Sequence, residues 1–161
     1  MWNAFVIASL DKDICSSMMT SILYAALIHD LGKKNDTEGE IHGHNSVILY
    51  KTVVERLCSE NEARLILEAV KYHSVDDSKT PFTVRENKIW EILKDADALD
   101  RSRLPGKGCN PAFLRNPIFS ANEGKELMSM AKELPIITVG CSWDSPVENL
   151  LHVLKELVNF N

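Results

Sequence analysis

The sequence predicts an all-α fold, a single-domain helical bundle. Apolar residues recur at three- and four-residue steps along most of the 161 residues. Helix-start signals, Ser59-x-x-Glu62, Ser120-x-x-Glu123 and Ser145-Pro146, open several of these periodic segments. Only Pro135 to Cys141 is rich in strand-forming residues, and a lone strand has nothing to pair with, so an extended connector is expected there.

The elements follow in order. Ile14, Met18, Ile22, Ala25, Ala26 and Leu27 lie on helical steps and predict a helix that runs into His29 and Asp30. Gly32 supplies a stop, and residues 33 to 39 read as a polar loop. A second helix fits Ser46 to Leu57. The Ser59–Glu62 capping box starts a third, with Ala63, Leu65, Ile66, Ala69 and Val70 as its buried stripe and an end near His73. Residues 74 to 84 have charge, a proline and no period, and predict a loop. The next helix covers about Glu86 to Arg101, before Leu104-Pro105-Gly106-Lys107-Gly108 interrupts the pattern. A helix from Ser120 through Leu134 and a last one from Ser145 complete the chain.

Composition bounds the function. Hydrophobic residues at 45% and charged residues at 25% suit a soluble globular domain, and a chain of this length buries about 70% of its unfolded surface. A net charge of -5 argues against an extended nucleic-acid or anionic-membrane surface as the partner. The longest nearly apolar run, Ile22 to Ile28, is far short of a membrane span, and no signal peptide opens the sequence. Cys15, Cys58, Cys109 and Cys141 form no CxxC and suit free thiols in a reducing compartment, so a cytoplasmic location is expected.

Four of the five histidines fall between residues 29 and 73. Imidazole and carboxylate together are what divalent metals of intermediate hardness prefer. His29 and Asp30 are adjacent at a helix end, about 100° apart around the axis, and converge on one ion only with ligands from other helices. On the Glu86–Arg101 helix, Ile89, Ile92, Leu93, Ala96 and Leu99 make the buried stripe. Lys88, Glu91, Lys94 and Asp95 make the wet face, with Asp95 a solvated charge. Asp97 is directed inward, where an unpaired carboxylate is costly. A metal ion, or a salt bridge to Arg101 or Arg103, would resolve that cost equally well.

The segments Ala25-Ala26-Leu27-Ile28-His29-Asp30-Leu31-Gly32-Lys33, Ile41-His42-Gly43-His44-Asn45-Ser46, Val70-Lys71-Tyr72-His73-Ser74 and Asp95-Ala96-Asp97-Ala98-Leu99-Asp100-Arg101 resemble, in order and spacing, the successive motifs of the HD-domain metal-dependent phosphohydrolases. The motif core spans roughly residues 20 to 105, and the C-terminal helices, 120 to 161, resemble one small bacterial branch. The resemblance implies that His29, Asp30 and Asp97 bind a first metal, with Asp30 placed to bridge to a second. His42 and His73 match residues that hold a second ion or contact the substrate phosphate. Lys33 matches a basic residue that neutralises phosphate or leaving oxygen, and Asp100 and Arg101 match positions at the mouth of the site. His44 matches nothing firm and reads as an exposed loop or helix-start residue. The family's first metal-binding His, roughly thirty residues before the pair, has no counterpart. Either the chain begins downstream of it, or Trp2 or Asn3 takes its place.

The resemblance thus implies hydrolysis of a phosphomonoester or phosphodiester, most plausibly in a nucleotide. One or two divalent ions (Mn, Fe, Co, Ni, Mg or Zn) would act as cofactor. His73 or Asp100 would assist proton transfer, and Arg115 would add a phosphate contact if it does not pair with an acidic neighbour. The alternative is a degenerate member of the fold that binds a nucleotide or a protein without turnover. Trp2, Trp90, Phe113 and Phe119 read as packing residues, Arg103 as an ion-pairing one, Gly106-Lys107-Gly108 as a flexible turn, and His152 as unrelated to the cluster.

Overall fold

A computed structural model of the chain describes residues 2–35, 39–101 and 109–139. The helices are α1 (Trp2–Leu10), α2 (Ser16–Ile28), α3 (Ile41–Leu57), α4 (Glu60–Tyr72), the single-turn α5 (Phe82–Arg85), α6 (Lys88–Asp100) and α7 (Asn122–Val139). Two 3-10 turns, Pro111–Phe113 and Pro117–Ser120, lie between α6 and α7. No strand occurs among the described residues, in keeping with an all-α fold. Nor is any of their helices long and apolar enough to cross a membrane.

Helices α2, α4 and α6 pack on one another in the middle of the bundle. Helix α1 covers α2 and α6, and α3 lies along α4. Ile22, Ile66, Trp90, Ile92, Leu93 and Leu99 are fully or almost fully buried. Each such side chain contributes about 1.5–3 kcal/mol relative to exposure. The full α6 stripe, Ile89 to Leu99, is buried, as are Ala63, Ile66, Ala69 and Val70 of α4, with Leu65 partly buried against them. Both α4 termini are as expected. Ser59 accepts from the Glu62 N–H while Glu62 reaches back to the Ser59 N–H, and His73 caps the C-terminal end.

Several boundaries depart from the sequence reading. Helix α1 was not singled out by its pattern, because it has no cap signal and is apolar almost all round. Helix α3 begins at Ile41 rather than Ser46, after a turn in which Gly39 takes a left-handed φ of 54°. Glu40, its N-cap, makes no side-chain capping bond, so nothing local announces the start. Of the apolar residues in the Ser46–Leu57 pattern only Val54 is buried, since α3 rests on the outside of α4. The 74–84 loop closes with α5. Helix α7 begins at Asn122, after the second 3-10 turn, and continues through Val139. The extended connector expected over 135–141 is therefore corrected for 135–139. Without a neighbouring strand, β-branched residues meet their backbone hydrogen bonds within a helix instead. Phe113, expected to pack, is 69% exposed. Arg103, Gly106-Lys107-Gly108, Cys141, His152 and the helix expected from Ser145 lie outside the described residues. Cys15 and Cys58 are free thiols.

Candidate metal centre

The site forms where the C-terminal ends of α2 and α4 meet the first turn of α3. His29 caps α2, and Asp30 follows in the turn beyond it. Two close approaches hold these ends together. A Cβ on Gly32 would stand 2.3 Å from the Ser46 backbone nitrogen, so only glycine lets the turn lie against α3. The buried Ser46 hydroxyl then donates to the His29 carbonyl at 2.6 Å and accepts from the Gly32 N–H at 2.9 Å. A Cβ on Gly43 would stand 2.5 Å from the Val70 carbonyl and 3.1 Å from the His73 ring, so α3 meets α4 where their histidines sit.

His29, His42 and His73 are oriented by the same device. Each ring places Nδ1 on the carbonyl three residues earlier, Ala26 at 2.9 Å, Gly39, and Val70 at 2.7 Å. A carbonyl oxygen only accepts, so each Nδ1 carries the proton and, in the neutral ring, each Nε2 presents a lone pair. Those lone pairs converge. His42 Nε2 and His73 Nε2 lie 2.9 Å apart. Asp30 Oδ1 is 3.2 Å from the first and 3.5 Å from the second, and Asp30 Oδ2 is 3.6 Å from His29 Nε2. The His73 ring meets those of His29 and His42 edge to face, with centroids 4.9 and 4.8 Å away.

Acceptors facing acceptors require a cation between them, either a proton on a ring or a metal ion. Burial holds His29 and His42 below the ordinary histidine value, and the neighbouring His73 lowers both further, against the pull of Asp30. Protons on these rings are therefore disfavoured. When the rings take up protons, a hydrogen bond from His73 and the charges of His29, His73 and His42 keep the Asp30 carboxyl far below the usual range, against the effect of burial. Two ligand atoms at about 2.0–2.1 Å from one ion lie roughly 2.9–3.4 Å apart at ordinary coordination angles, and the observed separations sit at or close to that interval. His29, Asp30 and His73 alone bring one ligand atom each within 4.8 Å of one another, a group able to hold a metal ion. The His73, His42 and His29 side chains are only 1, 13 and 17% exposed, whereas Asp30 is 42% exposed. The rings form the wall and the carboxylate lies at the mouth, which leaves the open side to solvent or a ligand.

The remaining residues singled out in the sequence stand around this group or away from it. Lys33 is exposed and close enough to His42 for its charge to help lower that ring's pKa. Asp97 lies within electrostatic reach of His29 but outside the compact group, its Oδ2 taking Arg101 at 3.4 Å in an exposed pair. A salt bridge to Arg101 thus partners Asp97. Asp100, Arg101 and His44 are exposed. Arg115 is engaged elsewhere. Its fork reaches both oxygens of Asp77 at 2.8 Å, its Nη1 reaches Asp95 at 3.1 Å, and its guanidinium stacks over Trp90.

Asp95 overturns the expectation of a solvated charge. It is completely buried and accepts from the Arg115 N–H at 2.9–3.0 Å and from the Asn116 N–H at 2.7 Å, besides the Arg115 side chain. Burial raises its carboxyl pKa, and these donors oppose the rise. The segment that covers it arrives 20 residues later, so helical periodicity alone left that face open to water. Sequence reasoning also passed over Gly43 and Ser46, whose contacts are known only once α3 is placed.

Comparison of the chain with family models, with curated proteins and with solved structures finds no match.

Proposed function

We propose that the chain is an HD-type, metal-dependent phosphohydrolase acting on a phosphomonoester or phosphodiester, with a nucleotide as the favoured substrate class. The observation that supports this reading is the convergence of three Nε2 lone pairs and both Asp30 oxygens at separations that suit a divalent ion. His29 and Asp30 Oδ2 would hold one ion. Asp30 Oδ1, His42 and His73 offer a second position on the other side of the same carboxylate. A bound ion supplies a water acidic enough to attack near neutral pH and neutralises phosphoryl charge.

The chain's own residues do the rest. The three backbone-anchored rings keep their Nε2 atoms aimed at one point, so no rearrangement of the rings is needed when a ligand arrives. Lys33, on the exposed side near His42, is placed to attract and bind the phosphate of an incoming substrate. Asp100 and Arg101, exposed at the end of α6, would flank the mouth of the site, as the resemblance implies.

Elemental analysis of protein purified without chelator, followed by phosphate release from a nucleotide panel with Mn2+, Mg2+, Co2+ or Ni2+, tests the reading. Bound metal with metal-dependent turnover is the expected result. An intact fold with neither would remove it. The pairing of Asp97 with Arg101, outside the compact group, favours a second reading in which the centre binds a nucleotide without turnover. Metal uptake and nucleotide binding by calorimetry, with no phosphate released, would select that reading.

A further inference from the structure

Most of the large apolar side chains that the described residues leave to solvent lie on one surface. Ile41, Ile48, Leu49, Val53 and Leu57 of α3 are 50 to 66% exposed. The end of α2, where Leu27 and Leu31 are also exposed, lies beside α3 at the contact of Gly32 with Asn45. Leu49, Val53 and Leu57 stand four residues apart along α3, and Ile41 and Ile48, seven apart, lie on the row beside them. Single exposed apolar residues are ordinary, whereas a contiguous patch marks a contact surface. Arg56 is the one charge within these rows. Lys51 and Glu55, paired at 3.7 Å, lie on the side that faces α4. Depletion of charge at the middle of a patch is what distinguishes an interface core from the rest of a protein surface.

The size of the surface also suits an interface. A 17-residue helix is about 25 Å long and about 10–12 Å across, so the outward half of α3 presents about 400 Å2. With the end of α2 added, it nears the roughly 600 Å2 per partner of the smaller specific interfaces. A net charge of -5 and a single basic residue in the patch disfavour an anionic lipid surface as the occupant. The chain beyond Val139 leaves from α7, which rests on α1 and α6, whereas α3 rests on α4 and α2. A second copy brings the same apolar surface in a self-complementary form. Leu49 is the midpoint of Ile41–Leu57, so two antiparallel α3 helices crossing at Leu49 set Ile41 against the partner's Leu57 at both ends. The two Arg56 side chains then lie about 21 Å apart along the axis, beyond the screening length of about 8–10 Å. We infer that the outward face of α3 is a homodimer interface with Leu49 on its two-fold axis. The inference does not rest on the metal-centre reading.

Sedimentation of the full chain from about 5 to about 500 μM, with chelator present so that no metal bridges two copies, tests it. The parent should pass from 18.1 kDa to twice that mass as concentration rises. Leu49→Glu and Leu49→Lys each set like charges against one another on the axis and should weaken association about tenfold or more. Both should melt like the parent in dilute solution, because Leu49 contributes nothing to the buried core. Mixed in equal amounts, the two variants should associate again, since opposite charges then meet, a rescue that damage to the fold would not allow. Phe113→Glu, at an exposed apolar residue elsewhere, should leave the dimer intact. A parent that stays at 18.1 kDa throughout overturns the inference and leaves the face to the C-terminal segment or another protein. Leu49 variants that associate like the parent, or a mixture that stays monomeric, overturn it as well.

Discussion

Asp95 and Asp30 are both carboxylates placed among nitrogen groups, yet their surroundings are opposite in kind. Around Asp95 every contact is a donor: two backbone N–H groups and the Arg115 guanidinium, which is itself braced by Asp77, the carboxylate that Lys94 also reaches. The protein satisfies that charge from its own resources. Around Asp30 the contacts are ring nitrogens whose protons are committed to backbone carbonyls, so acceptors point at an acceptor. A buried network whose polarity closes on itself holds the fold together, and one that leaves a cation's worth of charge unmet is a group able to hold an ion.

The sharpest way to break the contrast is to remove each carboxylate in turn. Asp95→Ala strips a fully buried acceptor from two N–H groups and an arginine. It should cost about 3 kcal/mol, the low end for breaking a buried pair because Arg115 retains Asp77. Urea denaturation would measure that loss, while the folded fraction keeps its metal affinity. Asp30→Asn should do the reverse. Metal affinity by calorimetry should fall by about a hundredfold, with stability of the metal-free protein unchanged or higher, since amide hydrogens now face the ring lone pairs. Equal losses of stability in the two variants would erase the distinction.

Gly43→Ala joins the two effects. The added methyl would meet the Val70 carbonyl at 2.5 Å, pushing α3 from α4 at an overpacking cost of about 1–3 kcal/mol. His42 moves with it, so metal binding and melting temperature should fall together. The pH dependence of binding follows from competition between proton and ion for Nε2. His29 and His42 titrate below the ordinary 6.5, so protonation sets in only under that value. Affinity should be level down to about pH 6.5 and fall as the pH drops further. A fall beginning well above 7 would contradict the lowered values. Ser59→Ala, distant from the centre, should cost about 1 kcal/mol by loss of the capping box and leave metal binding alone, as chemical denaturation and calorimetry together would register.

Legibility in the sequence followed the range of the interactions. Helices α4 and α6 could be placed closely because their caps and stripes are local: Ser59 with Glu62, and Ile89 through Leu99. The residues of the centre were visible as motifs, but the tautomers that aim the rings depend on carbonyls whose position exists only in the folded turn. Asp95 was misassigned because Arg115 and Asn116 come from beyond the helix. Asn3 meets Ala96 across 93 residues, and Gly43 is needed only because α4 passes beside it. The first turn of α3 was missed for the opposite reason, having no capping side chain to mark it.

Ring nitrogen chemical shifts of the 15N-labelled chain at pH 7.5, taken before and after one equivalent of Zn2+, test the central claim most directly. His29, His42 and His73 should each show Nδ1 protonated and Nε2 bare without metal. On addition of Zn2+ the His73 Nε2 should shift, joined by that of His29 or His42, while the exposed His44 stays put. An Nε2–H form at His73, or a set of ring shifts indifferent to Zn2+, would contradict the account.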